Sequence, residues 1–159
     1  VEHVSRLAGL ENFGAYLTML LEIDAFFLNE DRHMNNIAVL RNLNRTFSYC
    51  PVFDNGAALF SDTCISYDLE LPLETCYERI EAKPFNRSFD EQMDVAEELY
   101  GVHFYYWFME KDVERLLSGA KEAYGAEIVN RVLDVMRQQM RKYAYFNTIR
   151  EVPRFLKRG

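Results

Sequence analysis

Apolar positions three and four apart open the chain's first well-marked element. Phe13, Tyr16, Leu17, Leu20, Leu21, Phe27 and Leu28 trace one helical face, Met19, Ile23 and Phe26 widen it, and Asn12 stands where a cap belongs. So broad a stripe predicts a helix central to the core, ending where Asn29 begins a polar run. Before it, residues 1–10 suggest the tail of a helix turning at Gly9. After the polar run, Ile37-Ala38-Val39-Leu40 reads as a short buried strand and residues 46–49 alternate as a second. Between them Asn42-Leu43-Asn44 is turn-like, so residues 37–56 fold back on themselves. The Asn55-Gly56 step favours a positive φ and a tight turn.

Residues 57–87 lose periodicity. Ser61, Thr63, Ser66, Pro72 and Pro84 predict a long irregular segment, of the sort that is often functional in a compact domain. Periodicity returns at 89–100, with Ser88 as cap, Glu91 completing a capping box and Gly101 ending the helix. Residues 102–108 fit either a strand or a buried helix. Residues 110–117 predict a helix stopped near Gly119. Residues 126–146 predict a longer one, with Ile128, Val129, Val132, Leu133, Val135, Met136, Met140 and Tyr143 on its apolar face and Arg131, Arg137, Arg141 and Lys142 on its solvated side. The sum is one mainly helical domain over 1–159 with a small β-hairpin.

Composition adds limits. The 159 residues are 49% hydrophobic and 27% charged, with four Pro and seven Gly, which argues against disorder. A net charge of −7 argues against nonspecific nucleic-acid binding. The charge is uneven: residues 121–159 hold nine Lys/Arg against four Asp/Glu, or +5, leaving −12 on residues 1–120. That basic end could contact phosphate, an acidic partner or the acidic body of the same chain, the last being the plainest reading. Cys50, Cys64 and Cys76 form no C-x-x-C pair, and with no secretion signal they read as reduced thiols of a cytoplasmic protein. No apolar run approaches the ~18 residues of a membrane span. The first residue is Val, which reads as a fragment or trimmed chain.

The chemistry lies in Asn29-Glu30-Asp31-Arg32-His33-Met34-Asn35-Asn36 and in Phe53-Asp54-Asn55-Gly56. Asp31 precedes Asn36 by five residues, the offset of a kinase catalytic loop, in which the Asp receives the substrate hydroxyl proton and the Asn holds a metal. Asp54 heads an Asp-x-Gly and would supply a metal carboxylate, since hard cations prefer oxygen ligands. Each piece alone reads as a polar helix end or a hairpin turn. Together, helix, polar loop, strand, return strand and Asp-x-Gly spell a magnesium-phosphate site. His33 either fixes the loop by hydrogen bonding or acts as a second acid/base. Arg32 either neutralises phosphate or pairs with Glu30. Asn29 reads as a cap that rigidifies the loop, Cys50 as a small buried hydrophobe, and the aromatic run around Trp107 as core.

These residues resemble a family. Asn29, Asp31, His33 and Asn36 fit the N-x-D-x-H-x-x-N loop of HipA-like kinases, bacterial Ser/Thr protein kinases best known as toxins of toxin–antitoxin systems. Pro51-Val52-Phe53-Asp54-Asn55-Gly56 is similar to their metal-binding segment, and the D-R-H-x-x-N core is also similar to the loop of phosphoinositide 3/4-kinases. The match covers about residues 12–60. It implies a kinase-like C-terminal lobe, ATP as phosphoryl donor, Asp31 as catalytic base, and Asn36 and Asp54 as Mg²⁺ ligands. It also implies a protein substrate, with a lipid or small-molecule kinase, or a non-catalytic kinase-fold interaction domain, as the alternatives. Three departures stand beside it. No glycine-rich loop or strand lysine precedes the motif, so the N-terminal lobe that covers ATP is missing and this chain alone is expected to be nearly inactive. Asn55 replaces the Phe of Asp-Phe-Gly. No interface residues for the family's antitoxin partner or its DNA complex are identifiable.

Overall fold

A computed structural model describes residues 1–148. Among them are seven α-helices and one two-stranded antiparallel sheet, a mainly helical fold with a small hairpin. The chain divides into two compact units, Val1–His103 and Phe104–Gly159. No helix among the described residues is long and apolar enough to cross a membrane.

The first unit is built on α2 (Phe13–Phe27), preceded by α1 (Glu2–Ala8), whose C-cap Gly9 takes the left-handed φ of 64° that a β-carbon would resist. Leu20, Leu21, Ala25 and Phe26 of α2 are almost wholly buried. The Asn12 side chain makes no cap bond; its backbone N–H donates instead to the Tyr49 hydroxyl at 3.1 Å. The hairpin, β1 (Val39–Arg41) and β2 (Phe47–Tyr49), pairs Val39 with Tyr49 and Arg41 with Phe47. Both strands start later than the apolar runs suggest. The hairpin lies against the N-terminal half of α2, where Phe13, Tyr16 and Leu20 pack with Ile37, Val39, Phe47 and Val52. Tyr16 pins it further by stacking on Tyr49 and donating to the Cys50 carbonyl at 2.8 Å. Cys50 itself is only half-buried.

Residues 57–87 are not irregular throughout. They contain α3 (Leu73–Arg79), whose Cys76 is buried, and Phe60 sits in the core between Tyr67 and Tyr77. One buried side chain in about two turns is too little to make a periodic stripe, which is why α3 is silent in the sequence. The positive φ expected at Asn55-Gly56 falls instead on Asp54, at 58°. α4 (Phe89–Tyr100) packs along α2. Thr18 donates to the Ala96 carbonyl at 3.3 Å, and a β-carbon on Gly14 would come within 2.4 Å of the Tyr100 ring. Ser88 caps α4 by accepting from the Glu91 N–H, but the Glu91 carboxylate accepts from Asn86 rather than closing the reciprocal half of the box.

In the second unit, α5 (Glu110–Ser118) and α7 (Ala126–Lys142) pack together, with a four-residue α6 (Lys121–Tyr124) that no periodicity announces. α7 stops four residues before the expected 146, ending in a 3-10 turn at Ala144–Phe146. Residues 104–109 run extended, joined by a single parallel bridge between Tyr106 and Asn147. Alternation then decides burial: Tyr106 is inside while Trp107 is 76% exposed, so the aromatic run is core only at alternate positions. Arg131 is buried, not solvated, because four residues separate it from Val135 on the inward face. Arg137 binds Glu110, Glu114 and Asp134 of its own unit. Four of the nine basic residues of the C-terminal end, Arg150, Arg154, Lys157 and Arg158, lie outside the described residues.

Candidate functional site

The site grows from the C-terminal end of α2. Leu28 caps the helix in the left-handed region, φ 53°, and turns the chain into the polar loop. The carbonyl of Phe27 accepts from the Leu59 N–H at 2.8 Å, so the segment after Asp54 closes the helix end. Asn29 is buried, and its side-chain amide donates to Asp24 at 2.8 Å, in keeping with a residue that stiffens the loop.

Arg32 takes neither role expected of it. It is wholly buried and makes a two-pronged pair with Asp24, Nε to Oδ2 at 2.8 Å and Nη2 to Oδ1 at 2.9 Å. Nη1 donates to the carbonyls of Asn36 (3.1 Å) and Phe53 (2.8 Å), and Nη2 donates to Asn55 Oδ1 (2.7 Å). A guanidinium has five N–H groups, and these bonds use all of them. Arg32 therefore fastens the helix, the 29–36 loop and the 53–55 turn to one point. Burial pushes the Asp24 carboxyl above its ordinary value, while hydrogen bonds from Arg32 and Asn29 pull the other way. Three donors on its two oxygens favour the charged form of Asp24 against the cost of burial.

Above this point the sequence-predicted residues meet. Donor atoms of Asp31, His33 and Asp54 lie within 4.8 Å of one another, on partly exposed side chains. Ligands about 2.1 Å from one Mg²⁺ are at most about 4.2 Å apart, so a small rotation of exposed side chains fits them to a cation. Two carboxylates suit magnesium or manganese, and an imidazole widens the choice towards other transition metals. Asn36 closes the 3-10 turn Met34–Asn36 and is buried; its amide donates to the Asp31 carbonyl at 2.9 Å. That bond uses the nitrogen and leaves the amide oxygen as a donor to a cation. Asp54 holds its position at a positive φ that Asp tolerates better than most residues.

Two further contacts frame the loop. The Tyr67 hydroxyl donates to Glu30 at 2.6 Å, and burial first, then the Glu30 carboxylate, raises its pKa. Lys83 Nζ sits 3.4 Å from Asp31 Oδ1. The sequence reading missed Asp24, Tyr67 and Lys83. For Asp24 a signal existed: a carboxylate set in a wide apolar stripe must find a buried partner.

No protein-family model matches this chain, and comparisons with curated proteins and with solved structures return no match. The functional reading rests on the residues and their geometry.

Proposed function

We propose that this chain is the catalytic half of a HipA-like kinase, which transfers the terminal phosphoryl group of ATP to a protein Ser/Thr hydroxyl with the help of Mg²⁺. One observation supports it above others: groups from two loops, Asp31 and His33 on one and Asp54 on the other, converge over a buried Arg32 clamp. A turn rich in polar residues has no need of such a clamp.

In this reading Asp31, 45% exposed, meets the acceptor hydroxyl and takes its proton. Asp54 and the Asn36 amide oxygen hold the cation, and His33 orients the loop or shares the proton. Mg²⁺, when bound, neutralises the phosphate oxygens. Arg32 touches no substrate; it fixes the spacing of the groups that do, and small errors in that spacing are costly.

The test is phosphoryl transfer from labelled ATP by the full-length protein beside Asp31→Ala and Asp54→Ala. Loss of about 10²-fold or more is expected in each; unchanged turnover in both removes the mechanism. Running protein, lipid and small-molecule acceptors in parallel separates the Ser/Thr reading from the other acceptor classes. Magnesium-dependent nucleotide binding with no transfer to any acceptor would favour a non-catalytic domain.

A further inference from the structure

We infer that Lys83 supplies the positive charge that meets the transferred phosphoryl group, an inference that rests on the kinase reading. Phosphoryl transfer needs positive charge where negative charge develops on the equatorial oxygens. The nearest arginine in sequence cannot provide it. All five N–H groups of Arg32 are spent on protein acceptors, and the side chain is wholly buried. Lys83 is placed otherwise. Its ammonium lies 3.4 Å from Asp31, and its side chain is 51% exposed, open to a ligand arriving at the loop.

The backbone beneath Lys83 is held. Gln92, a buried residue of α4, donates its side-chain amide to the Lys83 carbonyl at 3.1 Å and accepts from the Phe85 N–H at 3.4 Å. Ala82 donates to the Arg87 carbonyl at 2.8 Å, closing the turn that carries the lysine. A fixed stem with an exposed head suits a lysine that exchanges partners. An exposed ion pair is worth at most about 1 kcal/mol, so Lys83 leaves Asp31 at little cost once a phosphate oxygen competes for it. The exchange also frees Asp31 for the hydroxyl. As the acceptor oxygen bonds to phosphorus, the bridging P–O bond breaks with its electron pair going to ADP, and the hydroxyl proton passes to Asp31. Lys83 keeps its own proton throughout and acts as a point charge.

The experiment uses the full-length protein with Lys83→Ala, Lys83→Arg and Asp31→Ala, and reads both turnover and nucleotide binding. Lys83→Ala is expected to lower kcat by about 10²-fold with little change in KM for the acceptor, and Lys83→Arg to recover most of it. Calorimetric binding gives a second readout. Mg-ATP affinity should fall about tenfold in Lys83→Ala while Mg-ADP affinity holds, a difference that mere loosening of the turn would not produce. Full turnover in Lys83→Ala, beside loss in Asp31→Ala, overturns the role of Lys83 and leaves the kinase reading standing. Equal weakening of ATP and ADP also overturns it. Absence of transfer by the unaltered protein, or full turnover in Asp31→Ala, brings down the kinase reading and this inference with it.

Discussion

Two layers of the same loop are built on opposite principles. Below, Asp24 and Arg32 are wholly buried and saturated with hydrogen bonds. Above, Asp31 and His33 from the same loop, Asp54 from the next turn and Lys83 from further along the chain are partly or largely exposed and loosely paired. The lower layer has nothing left to offer a ligand, and the upper layer contributes little to holding the chain together. The division lets the upper groups be chosen for chemistry, because the lower ones set their positions. It also predicts that substitutions will separate by layer, with stability lost below and ligand affinity lost above.

The largest effect should come from breaking the lower pair. Asp24→Asn keeps the shape but leaves the Arg32 charge buried without its counterion, a change that costs about 3–5 kcal/mol. Denaturant unfolding monitored by circular dichroism measures it. The double replacement Asp24→Leu with Arg32→Met sharpens the comparison. Apolar pairs often replace buried ion pairs without loss, so part of the stability should return. The bonds to Phe53 and Asn55 do not return, and the 53–55 turn loses its anchor. Divalent-cation affinity, followed by calorimetry, should therefore stay low even in the stable double variant. Full recovery of cation binding would show that Arg32 acts only through charge balance.

A smaller effect is expected where the 57–87 segment meets the loop. Tyr67→Phe keeps the ring in the core beside Phe60 and removes the bond to Glu30. Glu30 is only half-buried and can take up water, so the loss should be about 1–2 kcal/mol in unfolding free energy. Smaller still, Lys83→Ala should change stability by no more than about 0.5 kcal/mol, as exposed pairs do. A larger loss there would mean that the upper layer also carries the fold.

The upper layer was the more legible of the two in the sequence. Asp31, His33, Asn36 and Asp54 stand out because their types and offsets match the pattern expected of the proposed phosphate site, and the hairpin that joins their loops is marked by alternation and turn residues. The lower layer was hidden. Asp24 sits unremarked inside the apolar stripe of α2, and Arg32 offered two partners nearby, phosphate and Glu30, neither of which it takes. Its true partner lies eight residues back, on a helix whose end turns through a left-handed Leu28 that nothing in the sequence announces. Long helices were readable for the usual reason, a sustained stripe over several turns, as α2, α4 and α7 show. Short elements such as α3 and α6 present too few turns for a stripe and are held by tertiary contacts instead. Lys83 was invisible because its distance from Asp31 in the chain, 52 residues, carries no pattern.

Asp54 offers the finest cut between the layers, because its backbone and its carboxylate can be altered separately. At φ 58° a β-carbon is strained, at a cost of order 1 kcal/mol. Asp54→Gly relieves that strain but frees the unfolded chain by about 0.5–1 kcal/mol. The two terms oppose each other, and the net change in unfolding free energy should be near zero. Asp54→Ala keeps the strained β-carbon without the local hydrogen bonding that lets Asp tolerate this region, so it should be the less stable of the two. Both variants lack the carboxylate, and both should lose cation affinity to the same degree in titration calorimetry. Equal cation loss with unequal stability would show that the turn's conformation and its ligand chemistry are separate properties of one residue; retained cation binding in either variant would remove Asp54 from the proposed ligand set.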